Sequence, residues 1–240
     1  MSAVAQPSWH SPAQGPGHGG RAGGGRVEER VPVRRPSAAE TKDALRRGVR
    51  AQRARRSPRL CEEAASRLAE VVLTIPAVAD ARCVSVYASR PTEPGTGPLV
   101  EALAARGVRL LLPVLGTGLQ RDWAEYAGAE DLRERAPGRP PEPGGPGLGA
   151  QALAEADVVL VPALAVDATG TRLGQGGGWY DRVLAHVRPG APVVALVHAD
   201  EVVDDPLPRE PHDRPVTAVA TPERWWLVGA DGGPHGPDAR

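Results

Sequence analysis

The hydrophobic pattern of the chain predicts two leading helices, followed by strands and helices in alternation. Ser37-Ala-Ala-Glu40 has the form of a capping box, and good helix formers follow it as far as Arg56. Further helices are expected over 58–73, 97–105 and 180–187. Strand-like apolar runs occupy 82–88, 108–114, 158–162, 192–198 and 216–220. This order predicts a layered α/β/α fold, a single α/β domain with a mostly parallel central sheet.

The two ends of the chain lack this periodicity. Residues 1–36 are rich in Gly, Pro, Ala and Arg, and such a segment cannot bury enough apolar surface to offset its ordering entropy. We therefore expect disordered tails over 1–36 and 227–240, with the folded domain between them over 37–226. The Pro/Gly-rich segment 133–149 is interpreted as a long surface loop.

Charge and composition narrow the class of protein. The chain has 28 arginines, one lysine and a formal net charge of zero, but residues 1–60 carry a net +9 and the remainder a net −9. A basic leading segment suits a phosphorylated ligand, a membrane surface or nucleic acid. The pI near 7 and the absence of basic stretches interleaved with aromatics argue against nucleic acid and against an RNA-binding or partner-binding arm.

Cysteine use and hydropathy add two expectations. Cys61 and Cys83 have no metal-ligand spacing and cannot build a disulfide scaffold, so a reducing, cytoplasmic setting is predicted. No run of 18 apolar residues exists, and 1–25 lacks the apolar block of a signal peptide, so no membrane association is predicted.

One segment stands apart chemically: a buried strand over 158–162, a short loop, and then a glycine cluster that leads into a helix. Glycines let backbone N–H groups approach an anion, and a helix N-terminus adds partial positive charge. Arg172 precedes the cluster and offers a planar fork for phosphate, and Asp181 follows it and offers a ligand for a divalent metal. The pattern predicts a nucleotide-phosphate site, although neither the P-loop nor the dinucleotide fingerprint is present, and a flexible glycine-rich loop is the alternative.

The string from Arg172 to Asp181, Arg-Leu-Gly-Gln-Gly-Gly-Gly-Trp-Tyr-Asp, resembles the signature of the 5-formyltetrahydrofolate cyclo-ligase family. It departs from that signature at Trp179, where the family has tyrosine, and Gln175 stands where the family often has an aromatic or basic residue. Three further segments fit in the right order: Lys42 to Arg46, Glu93 to Thr96, and Leu207 to Val216. The resemblance therefore covers about residues 37–222.

The resemblance implies an enzyme that closes 5-formyltetrahydrofolate to 5,10-methenyltetrahydrofolate with ATP and Mg²⁺, through a phosphorylated formyl (iminium phosphate) intermediate. It implies catalytic roles for Arg172 and Tyr180 and magnesium ligation by Asp181 and Asp213. The ATP-binding residues it implies are Lys42, Arg46, Arg172, Leu173, Gly174, Gln175, Gly176, Gly177, Gly178, Trp179 and Tyr180. The folate-binding residues it implies are Ala88, Glu93, Gln175, Gly176, Gly177, Gly178 and Trp179.

Several interpretations stay open at this point. Trp179 and Tyr180 can instead be core aromatics that pack a helix on the sheet. Arg53 extends the resemblance to the family's ATP contacts, whereas Arg47, Arg50, Arg55 and Arg56 are interpreted as a solvated basic face. A catalytically silent nucleotide- or folate-binding module of the same fold is the alternative function. The expected partners are small molecules, ATP and a reduced folate, and a monomer is expected.

Overall fold

The computed structural model describes residues 37–116 and 120–229, so the tail predicted over 1–36 and most of the tail predicted over 227–240 lie outside the described residues. The helices are α1 (Ala38–Arg53), α2 (Pro58–Leu73), α3 (Pro76–Ala79), α4 (Gly97–Ala105) and α5 (Trp179–Val183). The strands are β1 (Cys83–Ser85), β2 (Arg109–Val114), β3 (Asp122–Glu125), β4 (Val158–Pro162), β5 (Ala165–Asp167), β6 (Arg172–Leu173), β7 (Val193–Leu196), β8 (Val202–Val203), β9 (Ala218–Ala220) and β10 (Trp225–Leu227). Four 3₁₀ turns, Ala129–Asp131, Ala150–Glu155, Leu184–His186 and Ala199–Glu201, complete the regular structure in these ranges.

The leading helices begin where local sequence signals place them. Ser37 is the N-cap of α1: its hydroxyl accepts from the N–H of Glu40, and the Glu40 carboxylate accepts from the N–H of Ser37. Ser57 caps α2 with one bond, since its hydroxyl accepts from the N–H of Leu60, and Pro58 stands at the first helical position, where its missing N–H costs no hydrogen bond. The predicted capping box is confirmed.

The main sheet has seven strands in the order β10-β9-β7-β4-β1-β2-β3. The five central strands are parallel, and the edge strands β3 and β10 pair antiparallel with their neighbours. This confirms the predicted α/β fold with a mostly parallel sheet. The two edge strands, β3 and β10, were not predicted. β10 ends at Leu227, one residue beyond the boundary predicted for the domain.

Alternate residues of the central strands enter two separate cores, which explains their continuous apolar runs. Along β4, Val158 and Leu160 pack into the core that contains α2, α3 and α4, whereas Val159 and Val161 pack into the opposite core. All four side chains are fully buried. A strand covered on both faces must be apolar at every position, and the result is a three-layer arrangement.

A second, three-stranded sheet in the order β6-β5-β8 lies beside the main one. It has its own small apolar cluster of Leu164, Ala165, Leu173 and Leu207, against which Val49 of α1 packs. The buried residues of α1 itself are the charged Lys42 and Arg53. This helix is therefore attached largely through polar groups.

The strand order reverses between β1 and β4. From β1 the chain proceeds to β2 on one side, and from β4 it proceeds to β7 on the other. Loops that leave two such strands diverge and open a crevice at their carboxyl ends, which is where open α/β sheets bind ligands. Among the described residues, no helix combines the length and the hydropathy needed to cross a membrane.

Candidate functional site

A cavity of about 270 Å³ opens at this crevice. Its walls come from the segments after β1, β2 and β4, from the glycine-rich segment, from α1 and from the loop before β9. The residues predicted from the sequence as site residues all line it: Lys42, Arg46, Ala88, Glu93, Arg172, Leu173, Gly174, Gln175, Gly176, Gly177, Gly178, Trp179, Tyr180, Asp181 and Asp213. Their shared location is observed, while the role of each stays a prediction.

Lys42 enters the cavity from the second turn of α1 as a buried cation. Its Nζ donates to Oδ2 of Asp213 at 2.7 Å and to Oε2 of Glu210 at 3.0 Å. Burial lowers the pKa of Lys42, but the two carboxylates outweigh it and leave the pKa raised. Burial raises the pKa of Asp213, and the hydrogen bonds from Lys42 and from the Glu210 N–H reverse this and leave it lowered. Both groups are therefore charged at neutral pH.

Arg46 lies one turn further along α1 and holds the glycine-rich segment. Its Nε donates to the Gly174 carbonyl at 3.0 Å. Gly176 has φ +103°, and a Cβ there would lie 3.4 Å from Cζ of Arg46. Glycine is required at this position because an L side chain would be strained in that conformation and pressed against the guanidinium.

Arg172 and Asp181 form an ion pair at the other side of the glycine segment. Nη2 of Arg172 donates to Oδ1 of Asp181, and Cζ lies 5.9 Å from the centroid of the Tyr180 ring. Burial lowers the pKa of Arg172 despite the field of Asp181. Its buried Nε has no hydrogen-bond partner among the described residues. A buried guanidinium N–H without a partner is costly, and a hydrogen bond from an anionic acceptor would remove that cost.

The turn that delivers Arg172 is fixed by Asp167 at the end of β5. Oδ1 of this buried carboxylate accepts from the N–H groups of Thr169 and Thr171 and from the Thr169 hydroxyl, while Oδ2 accepts from the N–H of Leu207. Burial raises the pKa of Asp167, and these four donors lower it overall. The same carboxylate thereby joins the glycine segment to the loop that carries Asp213.

Glu93 is a buried carboxylate that lines the same cavity and contacts the glycine segment. Its Oε2 accepts from the N–H of Arg90 at 3.0 Å, and its Oε1 accepts from Nε2 of Gln175 at 3.1 Å. Thr96 locks the turn from the other end, since its hydroxyl donates to the Tyr87 carbonyl and accepts from the N–H of Ser89. The wall therefore presents one preformed acceptor group.

Trp179 and Tyr180 belong to both the cavity and the core. Each packs against the core cluster on the α5 face of the sheet, and each lines the cavity. Trp179 contacts Trp123 edge to face at 5.3 Å, and its Nε1 donates to the Gln120 carbonyl at 2.9 Å. Burial, followed by the field of Glu93, raises the pKa of the Tyr180 phenol, which stays neutral. The two alternatives stated for these aromatics are thus compatible.

Oxygen donors for a divalent metal gather near Lys42. Ligand atoms of Glu210, His212 and Asp213 lie within 4.8 Å of one another, and Asp181 lines the same cavity. Carboxylate oxygens are the donors that Mg²⁺ prefers. The site fits such an ion in its chemistry, with Asp181 engaged by Arg172 and Asp213 engaged by Lys42.

The structure changes the interpretation of three arginines. Arg53 does not line the cavity; its guanidinium makes a bidentate pair with Glu201 at 2.7 Å and donates to the Ala163 carbonyl. Arg56 pairs with Asp200 and Glu201 instead of lying on a solvated face. Arg50, also assigned to that face, contacts Gln175. Sequence reasoning also missed Glu210 and His212, although both stand in the quoted motif around Asp213.

The predicted helix over 180–187 is shorter than expected. α5 covers five residues and continues as the 3₁₀ turn Leu184–His186, and its N-cap Gly178 is left-handed without a side-chain cap. A macrodipole needs several aligned turns, so α5 supplies less positive potential than the sequence suggested. The positive charge at the cavity comes from the side chains of Lys42, Arg46, Arg90 and Arg172.

The fold and the cavity define the class of protein: an α/β protein with a cavity lined by cationic side chains and a glycine segment at the switch point of its sheet. Residues 38–222 match the family model described as 5-formyltetrahydrofolate cyclo-ligase family. The chain belongs to the 5-formyltetrahydrofolate cyclo-ligase family, and it is an enzyme of that family.

Relatives agree with this assignment over most of the domain. The chain is 43% identical over 148 residues to a 5-formyltetrahydrofolate cyclo-ligase of Mycolicibacterium smegmatis, covering 60% of this chain and 75% of that protein. It is 32% identical over 182 residues to one from Escherichia coli, covering 74% and 98%.

Two solved structures share the fold. The NMR structure of Aquifex aeolicus 5,10-methenyltetrahydrofolate synthetase aligns with a TM-score of 0.67 at 24% identity, covering 83% of this chain and 98% of that one. The Mycoplasma pneumoniae 5,10-methenyltetrahydrofolate synthetase aligns with a TM-score of 0.59 at 17% identity, covering 76% and 99%.

Proposed function

We propose that this chain converts 5-formyltetrahydrofolate to 5,10-methenyltetrahydrofolate with ATP as co-substrate and Mg²⁺ as metal, releasing ADP and phosphate. The observation that carries the proposal is that one cavity combines two kinds of wall. One wall holds three cations and a glycine segment suited to a polyphosphate, and the other holds the buried acceptor Glu93.

The phosphates of ATP would lie between α1 and the glycine segment. Lys42, Arg46 and Arg172 approach this space from two sides, and the unpaired Nε of Arg172 is a donor in need of an acceptor. Residues 174–178 are glycines except for Gln175, and a glycine has no Cβ. Their backbone N–H groups therefore allow close approach of an anion. Leu173, Trp179 and Tyr180 would border the nucleotide on its apolar side.

Magnesium would be held by Asp181 and Asp213. The ion would supply charge neutralisation and alignment of the phosphate oxygens. Lys42 and Arg172 now neutralise these two carboxylates, so both cations would turn toward phosphate oxygens when the metal takes over the carboxylates.

The reduced folate would occupy the wall formed by Ala88, Glu93 and the segment 175–179. A pterin ring presents neighbouring N–H donors, and a buried carboxylate with a fixed orientation is the matching acceptor. Glu93 is held by the Arg90 N–H and by Gln175, and each of its oxygens retains a lone pair for a ligand. The chain would therefore read the ring through an acceptor that needs little reorganisation.

The reaction would then proceed by positioning and charge neutralisation. The formyl oxygen attacks the γ-phosphorus, the bond to ADP breaks, and an iminium phosphate forms on the folate. The N10 amine attacks the iminium carbon, loses its proton, and phosphate leaves with the former formyl oxygen. Arg172 would neutralise the transferred group, and the neutral Tyr180 phenol would pack beside it without titrating.

The test is a turnover assay on the purified full-length chain with ATP, Mg²⁺ and 5-formyltetrahydrofolate, following the product by absorbance. Product that depends on both ATP and Mg²⁺ supports the proposal. Folate binding without product would refute it and favour the silent binding module.

A further inference from the structure

Arg50 lies on the exposed face of α1, one turn beyond Arg46, and contacts one residue of the glycine segment. Its Nη2 donates to the backbone carbonyl of Gln175 at 3.0 Å and to Oε1 of the same residue at 3.0 Å. Its Nε lies 3.3 Å from that Oε1. Arg50 does not line the cavity and would touch neither substrate.

The Gln175 side chain connects Arg50 to the buried wall of the cavity. While Oε1 receives the guanidinium, Nε2 donates to Oε1 of Glu93 at 3.1 Å. The orientation of the amide is set by chemistry, because a guanidinium offers only donors and a carboxylate only acceptors. The three side chains thus form a directed chain of hydrogen bonds from the surface of α1 to Glu93.

Glu93 has few other restraints among the described residues. One oxygen accepts from the Arg90 N–H, and the other accepts from Gln175. A carboxylate with a single hydrogen-bonded oxygen can still turn about its terminal torsion, which is broad. A second donor at the other oxygen limits that rotation and fixes the plane in which the group can meet a ligand.

We propose, resting on the function above, that Arg50 is a positioning residue for folate recognition that acts through Gln175 on Glu93. Arg50 fixes the Gln175 amide, and the amide fixes the plane of the Glu93 carboxylate against the pterin ring. The effect falls on folate more than on ATP, since Arg46 independently anchors the glycine segment through the Gly174 carbonyl.

The size of the expected change in the folate KM follows from the loss of one hydrogen-bonded contact in this relay of side chains. A typical protein hydrogen bond makes a net contribution that changes an equilibrium about three- to tenfold. Replacing Arg50 by methionine removes the guanidinium and retains a long apolar side chain that forms helix well. We expect Arg50→Met to raise the KM for 5-formyltetrahydrofolate about three- to tenfold and to change the KM for ATP less than about twofold.

Five variants of the full-length chain test this relay: Arg50→Met, Arg50→Lys, Gln175→Met, the double methionine variant, and the control Arg47→Met. Arg47 is an exposed arginine of the same helix. Folate KM and kcat are measured at saturating ATP and Mg²⁺, ATP KM at saturating folate, and folate Kd by calorimetry without nucleotide. Wild-type turnover is measured first, because its absence refutes the proposed function rather than the relay.

The relay predicts that the double variant raises the folate KM and Kd no more than Gln175→Met alone. Arg50→Lys should recover part of the loss, because an ammonium can still donate to one Gln175 oxygen. Additive effects of Arg50→Met and Gln175→Met would overturn the proposal, as would Arg50→Met behaving like Arg47→Met. An Arg50→Met effect confined to ATP would also overturn it and make Arg50 a phosphate contact.

Discussion

The buried polar cluster that docks the end of α1 predicts a loss of stability in mild acid. His198 is 5% exposed and lies beside Glu201, whose carboxylate receives Arg53 and Arg56. Burial is the main cause that lowers the pKa of His198 from 6.5 to about 4. The negative charges of Glu201 and Asp200 oppose this shift, and the positive charges of Arg56 and Arg53 add to it. The folded protein therefore resists a proton that the unfolded chain accepts.

The sign and size follow from proton linkage. Between pH 6.5 and 4 the unfolded chain binds more protons at this residue, so stability present above pH 6.5 is lost as the pH falls. With these two pKa values, the loss between pH 7.5 and pH 5.0 is about 2 kcal/mol. That is a large part of the roughly 5–15 kcal/mol that stabilises a typical domain.

Urea unfolding at pH 7.5 and pH 5.0 measures the effect, with His198→Gln to remove the titrating ring and His186→Gln as a matched control outside the cluster. Wild type and His186→Gln should lose about 2 kcal/mol more than His198→Gln over this interval, a shift of roughly 1 M in the urea midpoint. Equal losses in all three proteins, or an NMR titration of His198 near pH 6.5, would refute the reasoning.

The remaining predictions concern the cavity and the N-terminal segment. Lys42→Met should raise the KM for ATP roughly tenfold or more, as expected for a lost charge-assisted contact, whereas the exposed control Arg47→Met should stay near wild type; equal KM values would remove Lys42 from the phosphate site. Asp181→Asn should lower kcat about 100-fold, measured on the folded fraction because the change also removes the charge partner of the buried Arg172, against the exposed control Asp204→Asn; wild-type turnover in Asp181→Asn would exclude it as a metal ligand. Deleting residues 2–36 should leave kcat within about twofold, since the described cavity is lined only by residues from Lys42 onward, and a large loss would give that segment a role in catalysis.

Local signals made α1, α2 and α4 predictable, whereas α3 was not predicted and α5 is shorter than the predicted helix. The α1 start needed only Ser37 and Glu40, which are three residues apart, and α4 was predicted with the bounds it has. β4 was also found as predicted, because a strand buried on both faces must be apolar throughout. Such features depend on the residues of one short segment.

Features that depend on distant partners were missed. β3 and β10 are short edge strands whose pairing is fixed by β2 and β9, and β10 is only half-buried. The small sheet of β5, β6 and β8 has two or three residues per strand, too few for a period to be visible.

The arginines show the same division within the site. Lys42 and Arg46 could be assigned through their spacing and the family resemblance, which places both on one helix face. Arg50 and Arg53 are on that helix too, yet their roles depend on Gln175 and Glu201, which lie 125 and 148 residues away. No pattern within α1 distinguishes an arginine that meets such a partner from one that meets water.

The polar attachment of α1 ties two site residues to the rest of the domain through buried charge. The buried residues of this helix are Lys42 and Arg53, which pair with carboxylates of the loop before β9 and of the turn after β7. Salt screens such buried pairs only weakly, whereas removing one partner leaves an uncompensated buried charge. The placement of Lys42 and Arg46 at the cavity therefore depends on charge pairs more than on apolar packing.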